Sequence, residues 1–425
     1  MSVSSAHSIG SNSAERPSGR VRSDRLNRRL EIMARFGATD KNGVNRQALS
    51  TEDLQAQLQM VAWAAELGFQ PSTDPAGNLF LRWEGTDSSL APVLTGSHLD
   101  SQPTGGKFDG VYGVLAALEA VEAIKDAGLT PRRSIEIVSW MNEEGSRFAP
   151  GMMGSRAYAN PASLNEMSAT TDAQGISVAS ALASTHRGLK DIPYRQLGGR
   201  PHAFIETHIE QGTELEQRKA TIGVVTGIQG KCTFRIALIG EAAHAGTSRR
   251  AERKDALMAA VDIISALGEH LHDDADVVKF TVGRLIVEPN APSVVPSQVT
   301  FSIDLRHPDS AVLTKLSDMI GPICEAHKGP CAVAVKELST AMSTEFAPEL
   351  RAAIRRAADS LEIAHLDMLS AAGHDARYLG EVCASAMIFV PSHLGITHNE
   401  AEFTAAEDLY DGTRVLADVI WELAS

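Results

Sequence analysis

Seven residues capable of metal binding or proton transfer stand at, or just past, the ends of apolar runs. "APVLTGSHLD" ends in His98 and Asp100, "SIEIVSWMNEEG" reaches Glu143 and Glu144, and "HAFIETHIEQG" carries His208. Asp109 follows in the loop "GGKFDG", and His398 lies in "GITHNEAE". Three imidazoles and four carboxylates among these residues make a donor set for zinc or a similar divalent ion. One ion with an open position needs three protein ligands. This set suffices for two ions sharing a carboxylate, the arrangement of two-metal hydrolysis. A single strand-end histidine commonly serves packing alone; the gathering of several at equivalent strand ends points to a metal. Adjacent side chains on a strand face opposite ways and two carboxylates repel, so Glu143 and Glu144 fit one site only beyond the strand, beside positive charge. Asp100 has two open readings: a hydrogen-bond partner for the second nitrogen of His98, or a turn cap.

Other chemistries fail on spacing. "TGIQGKCT" has Val225 and Cys232 where a phosphate-binding loop requires Gly and Ser or Thr. There is no HExxH helix, no G-x-S-x-G elbow and no strand followed by GxGxxG. His270 and His272 in "GEHLHDD" sit at a polar helix end and read as solvated. A net charge of −14 argues against nucleic-acid and anionic-membrane partners, and makes the Arg-rich stretches "RVRSDRLNRR" and "SRRAERK" exposed faces.

The elements that must position these residues alternate. After a helix "SDRLNRRLEIMARFG" comes a second, "STEDLQAQLQMVAWAAELGF", with Ser50 and Asp53 as its start signal and Gly68 as its stop. Apolar strands then alternate with helices, which predicts an α/β, mainly parallel sheet covered on both faces, with ligands at its carboxyl edge. From about residue 231 the order changes to β-α-β-β-α-β, the ferredoxin-like pattern of a separate α+β unit. The expected domains are a flexible tail at 1–22, a catalytic domain at 23–213 and 336–425, and an inserted domain at 214–335. Cys232, Cys324, Cys331 and Cys383 form no CxxC pair and read as reduced residues of a cytoplasmic protein. No apolar run approaches the roughly 18 residues of a membrane span, and the Ser-rich first 22 residues lack the apolar core of a secretory signal.

In chain order, "GSHLDSQPTGGKFDGVYGV", "NEEGSRF", "HIEQG", "AAHAGTS" and "GITHNEAE" closely resemble one family. It is the amidase/hydantoinase/carbamoylase branch of the dinuclear zinc peptidase/aminoacylase superfamily. Its members include N-carbamoyl-L-amino acid amidohydrolases, allantoate amidohydrolases and β-ureidopropionases. The likeness runs from about residue 25 to the C-terminus, and "HIEQG" and "GGKFDG" separate this branch from the aminopeptidases and deacetylases.

The resemblance implies two divalent ions per subunit, zinc, with manganese, cobalt or nickel as alternatives. His98 would bind one ion, Asp109 would bridge, and Glu144, His208 and His398 would complete the pair. Glu143 matches the general base, and Asp100 is grouped with it as catalytic. The inserted domain is expected to form a homodimer interface and to supply His244 across it to the substrate. Arg306 in "SIDLRHPD" matches the residue that holds the substrate carboxylate, Gln211 matches a further contact, and Ser293 and Gly373 fall at substrate-lining positions. Three departures stand out: Ser293 replaces the family's usual Asn, Arg249-Arg250 replace Pro-Met, and Ala371 replaces a frequent Gly. The implied activity is hydrolysis of the ureido group of N-carbamoyl-L-amino acids to amino acid, CO2 and NH3. Allantoate or β-ureidopropionate are alternative substrates; an aminoacylase or dipeptidase, or a non-catalytic metal-binding protein, is more distant.

Overall fold

A computed structural model of the chain describes residues 16–425. Its main elements, in order, are α1 (Ser23–Met33), α2 (Thr51–Leu67), β1 (Gln70–Thr73), β2 (Leu79–Trp83), β3 (Val93–His98), α3 (Val111–Asp126), β4 (Ile135–Trp140), β5 (Ala203–Ile209) and β6 (Ile222–Ile228). There follow β7 (Gly230–Ile239), α4 (Ala256–His270), β8 (Lys279–Glu288), β9 (Gln298–His307), α5 (Ser310–His327), β10 (Ala332–Ala341), α6 (Pro348–Ser360), β11 (Ala384–Val390) and α7 (Ala406–Ala424). The chain divides into two units. The first runs to Thr226 and takes in Phe346–Met368 and His374–Ser425; the second is Gly227–Glu345 with Leu369–Gly373.

In the first unit the strand order is β1-β2-β4-β3-β5-β11-β6. The central four, β4-β3-β5-β11, are parallel, and the flanking pairs are antiparallel. Every residue of β3, β4 and β5 is buried, as expected for strands covered on both faces. α3 is apolar around most of its circumference and is buried at Val111, Val114, Leu115, Leu118 and Val121, which suits a helix packed on both sides. α2 starts and stops where its signals stand. The Ser50 hydroxyl accepts from the Asp53 N–H, the Asp53 carboxylate accepts from the Leu49 N–H, and Gly68 closes the helix at φ 74°.

The second unit is a four-stranded antiparallel sheet, β10-β7-β9-β8, backed by α4 and α5. Here burial alternates. Val299, Phe301, Ile303 and Leu305 of β9 point into the core, while Thr300, Ser302 and Asp304 do not. The ferredoxin-like order is present, and with the mainly parallel first unit the α/β architecture with an inserted α+β unit is as the sequence implies. The expected limits of the insertion, 214 and 335, differ from those of this unit: helix Glu214–Arg218 belongs to the first unit, and β10 runs on to Ala341.

One expectation needs correction. The flexible tail expected over 1–22 does not extend through residues 17–22: Pro17–Arg20 form a 3-10 turn with Pro17 and Ser18 buried. Ser18 donates its N–H and hydroxyl to the Asp418 carboxylate at 3.0 and 2.9 Å, and the Arg22 N–H donates to Glu119 at 2.7 Å. Residues 1–15 of that tail lie outside the described residues. Among the described residues the cysteines are unpaired, and no helix is long and apolar enough to cross a membrane.

Candidate metal centre

Parallel neighbours end on the same edge, so β4, β3 and β5 deliver their carboxyl ends side by side. His98 is the last residue of β3, His208 the penultimate residue of β5, and Glu143 and Glu144 lie just beyond β4. The loop between β3 and α3 brings Asp109 across this edge. Its glycines are steric requirements: a Cβ on Gly110 would lie 2.2 Å from the His98 ring, and one on Gly106 would lie 2.1 Å from the Glu402 carboxyl. Gly110 also sits at φ 66°, in the left-handed region.

The donors meet in two triads with Asp109 common to both: His98, Asp109 and His208, and Asp109, Glu144 and His398. Within each, the ligand atoms lie within 4.8 Å of one another. Asp109 Oδ1 is 3.2 Å from His208 Nε2 and 3.9 Å from His98 Nε2. Asp109 Oδ2 is 3.2 Å from His398 Nε2, which is 3.3 Å from Glu144 Oε2. The Nδ1–H of His98 donates to the Asp100 carbonyl and that of His208 to the Ile209 carbonyl, each at 2.9 Å. A carbonyl only accepts, so Nδ1 keeps a proton in each ring and Nε2, the nitrogen that faces Asp109, is the one left to bind a metal once deprotonated. Without metal, Asp109 favours a proton on His208 Nε2. The Gly110 N–H lies 3.2 Å from His208 Nε2 and can donate to it when the ring is neutral.

The electrostatics describe a cluster short of positive charge. Burial, reinforced by Asp375, Glu144 and Asp100, pushes the Glu143 carboxyl well above its ordinary range. Burial and the charge of Asp109 push Glu144 and Glu402 up to about 7. Burial alone would raise Asp109, but hydrogen bonds from His208 and His398 hold it well below the carboxylate range. His98 is driven down to about 4 by burial. Burial also opposes charge on His208, yet Asp109 brings it up to about 9, and the bond to Asp109 does the same for His398. The protein's own donors therefore compete for protons around one carboxylate. Two divalent cations fit this set of imidazole nitrogens and carboxylate oxygens and would remove the repulsion between the acids.

Asp100 combines its two readings in a different way. Its carbonyl, not its carboxylate, orients His98, while the carboxylate accepts the backbone N–H groups of Glu143 and Glu144 at 3.1 and 3.2 Å. The break from strand alternation comes at Asn142, at φ 54°, with its side-chain amide donating to the Phe148 carbonyl at 2.8 Å; Gly145, at φ 65°, follows the glutamates. Glu143 Oε2 lies 3.6 Å from His98 Nε2. Gln211 Nε2 donates to Asp109 Oδ2 at 3.0 Å. Both Gln211 and His398 adopt left-handed backbone, φ 59° and 52°, a strained conformation for non-glycine residues and one that clusters at functional sites.

Several supporting residues carried no signal in the sequence. Glu402 accepts from the Phe108 and Asp109 N–H groups at 2.9 and 3.1 Å, and Thr397 donates to Asp109 at 3.1 Å. The buried Arg46 guanidinium donates to the carbonyls of Leu99, Met33 and Phe36, tying the His98–Asp100 turn to the end of α1. Gln102 contacts both oxygens of Glu144. His374 packs edge-on against His208, with ring centres 4.5 Å apart. Only the paired donor and acceptor could have announced these residues, and the partners are distant in sequence.

The expected substrate contacts His244, Ser293, Arg306 and Gly373 belong to the second unit, whereas Gln211 and the metal donors belong to the first. His244 lies in a two-residue strand paired with Val294–Val295, and the Ala245 N–H donates to the Ser293 carbonyl. Its Nδ1 accepts from the Gly246 and Thr247 N–H groups, so in the neutral ring Nε2 carries the proton. Arg306 donates from Nε and Nη2 to Asp304 and from Nη1 to the Ala371 carbonyl. It lines a cleft of about 680 Å³ with Gln229, Lys279, Arg284 and Ala371.

Comparison with known proteins identifies the family. The sequence profile of peptidase family M20/M25/M40 matches residues 94–422. The chain is 36% identical to an N-carbamoyl-L-amino-acid amidohydrolase of Rhizobium meliloti over 410 residues, 95% of this chain and 97% of that one. It is 35% identical to an allantoate amidohydrolase of Bacillus subtilis over 401 residues, 93% and 96% of the two chains. The crystal structure of an amidase of the hydantoinase/carbamoylase family from Burkholderia multivorans superposes with a TM-score of 0.85 at 39% identity, covering 95% of this chain and 98% of that one.

Proposed function

We propose, from the premise that this chain belongs to peptidase family M20/M25/M40 and is an amidohydrolase of its hydantoinase/carbamoylase branch, that it removes the carbamoyl group of N-carbamoyl-L-amino acids. One water is consumed per R–NH–CO–NH2, and R–NH2, CO2 and NH3 are released. The observation that carries the reading is the pair of triads sharing Asp109, with the largely buried Glu143 beside them, its side chain 10% exposed.

His98, Asp109 and His208 would hold one divalent ion, and Asp109, Glu144 and His398 a second; zinc, manganese or cobalt suits such nitrogen and oxygen donors. Bound there, the ions supply Lewis acidity to the substrate carbonyl and lower the pKa of water. Glu143 then has one task, to take a proton from the attacking water and hand it to the leaving nitrogen. Its buried, acid-lined surroundings favour holding that proton. Asp100 fixes the backbone on which Glu143 and Glu144 stand. Arg306, already oriented by Asp304, is assigned the substrate carboxylate, for which a planar guanidinium is suited. Gln211, His244, Ser293 and Gly373 are assigned to the rest of the substrate.

Allantoate is the second reading, supported by the near-equal identity to the allantoate enzyme. The same Arg306 would serve its carboxylate. A panel of N-carbamoyl-L-amino acids, allantoate, β-ureidopropionate and N-acetyl amino acids, with Mn2+ or Co2+ added, decides between them. Turnover of N-acetyl but not ureido substrates would reject both readings in favour of an aminoacylase; no turnover of any, with metal bound, would leave a metal-binding protein.

We also assign the second unit to homodimer formation, with His244 serving the partner's site. Among the described residues β8 and β10 each pair on one side only, so both outer edges of that sheet are unpaired there. Mixed dimers of His244→Ala and Glu143→Gln subunits should recover part of the activity that each lacks alone. No recovery in verified heterodimers would refute a shared site.

A further inference from the structure

Glu144 is gripped from one short segment of chain. Its N–H donates to Asp100 Oδ2 at 3.2 Å, its Oε1 accepts the Gln102 N–H at 3.1 Å, and its Oε2 accepts the Gln102 side-chain amide at 2.7 Å. The same Oε2 lies 3.3 Å from His398 Nε2. The last torsion of a glutamate is soft, with a broad, roughly two-fold profile, so one backbone donor leaves the carboxylate plane poorly defined. A second donor on the other oxygen defines it. A carboxylate offers about four lone-pair sites. Gln102 takes one on each oxygen and leaves the remainder for the ion.

We propose that Gln102 is a positioning residue for the second ion: its side-chain amide sets the orientation in which Glu144 is presented to the Asp109–His398 side of the centre. The inference rests on the dinuclear reading above and adds a residue to it. Its logic comes from how the other donors are held. His98 and His208 are oriented by backbone carbonyls, which no side-chain substitution removes. Glu144 depends on a side chain, and Gln102 Nε2 is the shortest contact it makes among the described residues. The Gln102 amide has no part in proton transfer and need not touch substrate.

The test is metal binding rather than turnover. Metal-stripped full-length protein is titrated with Mn2+ against a competing chelator, giving the stoichiometry and both affinities, and Tm is followed in parallel. Gln102→Met keeps the length of the side chain and loses the donor. It should bind one ion as wild type does and the second about 10–100-fold more weakly, the usual effect of losing an outer-shell partner. Gln102→Glu should weaken the second ion further, because a carboxylate opposes Glu144 instead of donating to it. If Gln102→Met binds both ions with wild-type affinity, or both weaken together with a fall in Tm, the positioning role is wrong. If wild type itself fails to take up two ions, the dinuclear reading falls, and this inference falls with it.

Discussion

Of the two triads that meet at Asp109, one is built on strands and the other on loops. His98 and His208 occupy β3 and β5, are each 1% exposed, and have their rings turned by backbone carbonyls. Glu144 and His398 stand in loops, and the His398 side chain is 47% exposed. The chain reaches Glu144 through left-handed backbone at Asn142, and His398 is itself left-handed. The buried triad is thus a consequence of the parallel sheet, and any chain forming these strands places its imidazoles there. The open triad is held against local conformational preference by side chains: Gln102 on Glu144, and Thr397 and Glu402 around Asp109. The difference separates what folding requires from what function requires. It predicts that damage to the first triad registers as lost stability and damage to the second as lost metal.

The largest effect should come from removing what the triads share. Asp109→Ala takes one donor from each and leaves two imidazoles on one side and Glu144 with His398 on the other. Metal analysis should then find neither site loaded at micromolar free Mn2+, with activity at background. Retention of one tightly held ion would show that the triads do not depend on a common carboxylate. Next in size is Glu143→Gln, which belongs to neither triad. It should keep two ions and the fold, and lower kcat by about 10²–10⁴-fold, the contribution of a positioned general base. An unchanged kcat would return the proton transfer to another group.

The same contrast explains what could be read in advance. The α/β layout, the ferredoxin-like insertion and the strand ends that carry His98 and His208 were legible because apolar periodicity and strand termini are local properties. The roles of individual residues were not. Asp100 was open between two readings because carbonyl and carboxylate of one residue do different work, and only the path of the chain decides which partner meets which. Glu402, Arg46 and Gln102 act on backbone or carboxylate groups brought to them by tertiary structure, with no spacing rule to announce them. His244 and Arg306 became visible through family resemblance; as isolated residues they look like a turn histidine and a strand-end charge. The docking of residues 17–22 was hidden by composition, since a Ser- and Arg-rich stretch gives no sign that Asp418 and Glu119 will receive it.

The smallest effect is the one that best sharpens the comparison. His398 sits at φ 52°, where a non-glycine residue pays roughly 1–2 kcal/mol and glycine does not. Glycine also has more freedom to lose on folding, about 0.5–1 kcal/mol. The substitution removes the half-exposed hydrogen bond from His398 to Asp109 as well, worth about 0.5–1.5 kcal/mol. His398→Gly in metal-free protein should therefore change stability by no more than about 1 kcal/mol in either direction. His208→Ala should cost far more, because it empties a buried site packed against His374 and Phe389, a change on the order of 2–5 kcal/mol for large-to-small substitutions in a core. Thermal unfolding with and without Mn2+ distinguishes the cases. Wild type should gain Tm from the ions by mass action, His398→Gly should start close to the metal-free wild type and gain less, and His208→Ala should start well below it. A metal-free His398→Gly protein that unfolds several degrees early would mean that the left-handed loop is stabilised by contacts of the imidazole itself, and that the open triad is as much part of the fold as the buried one.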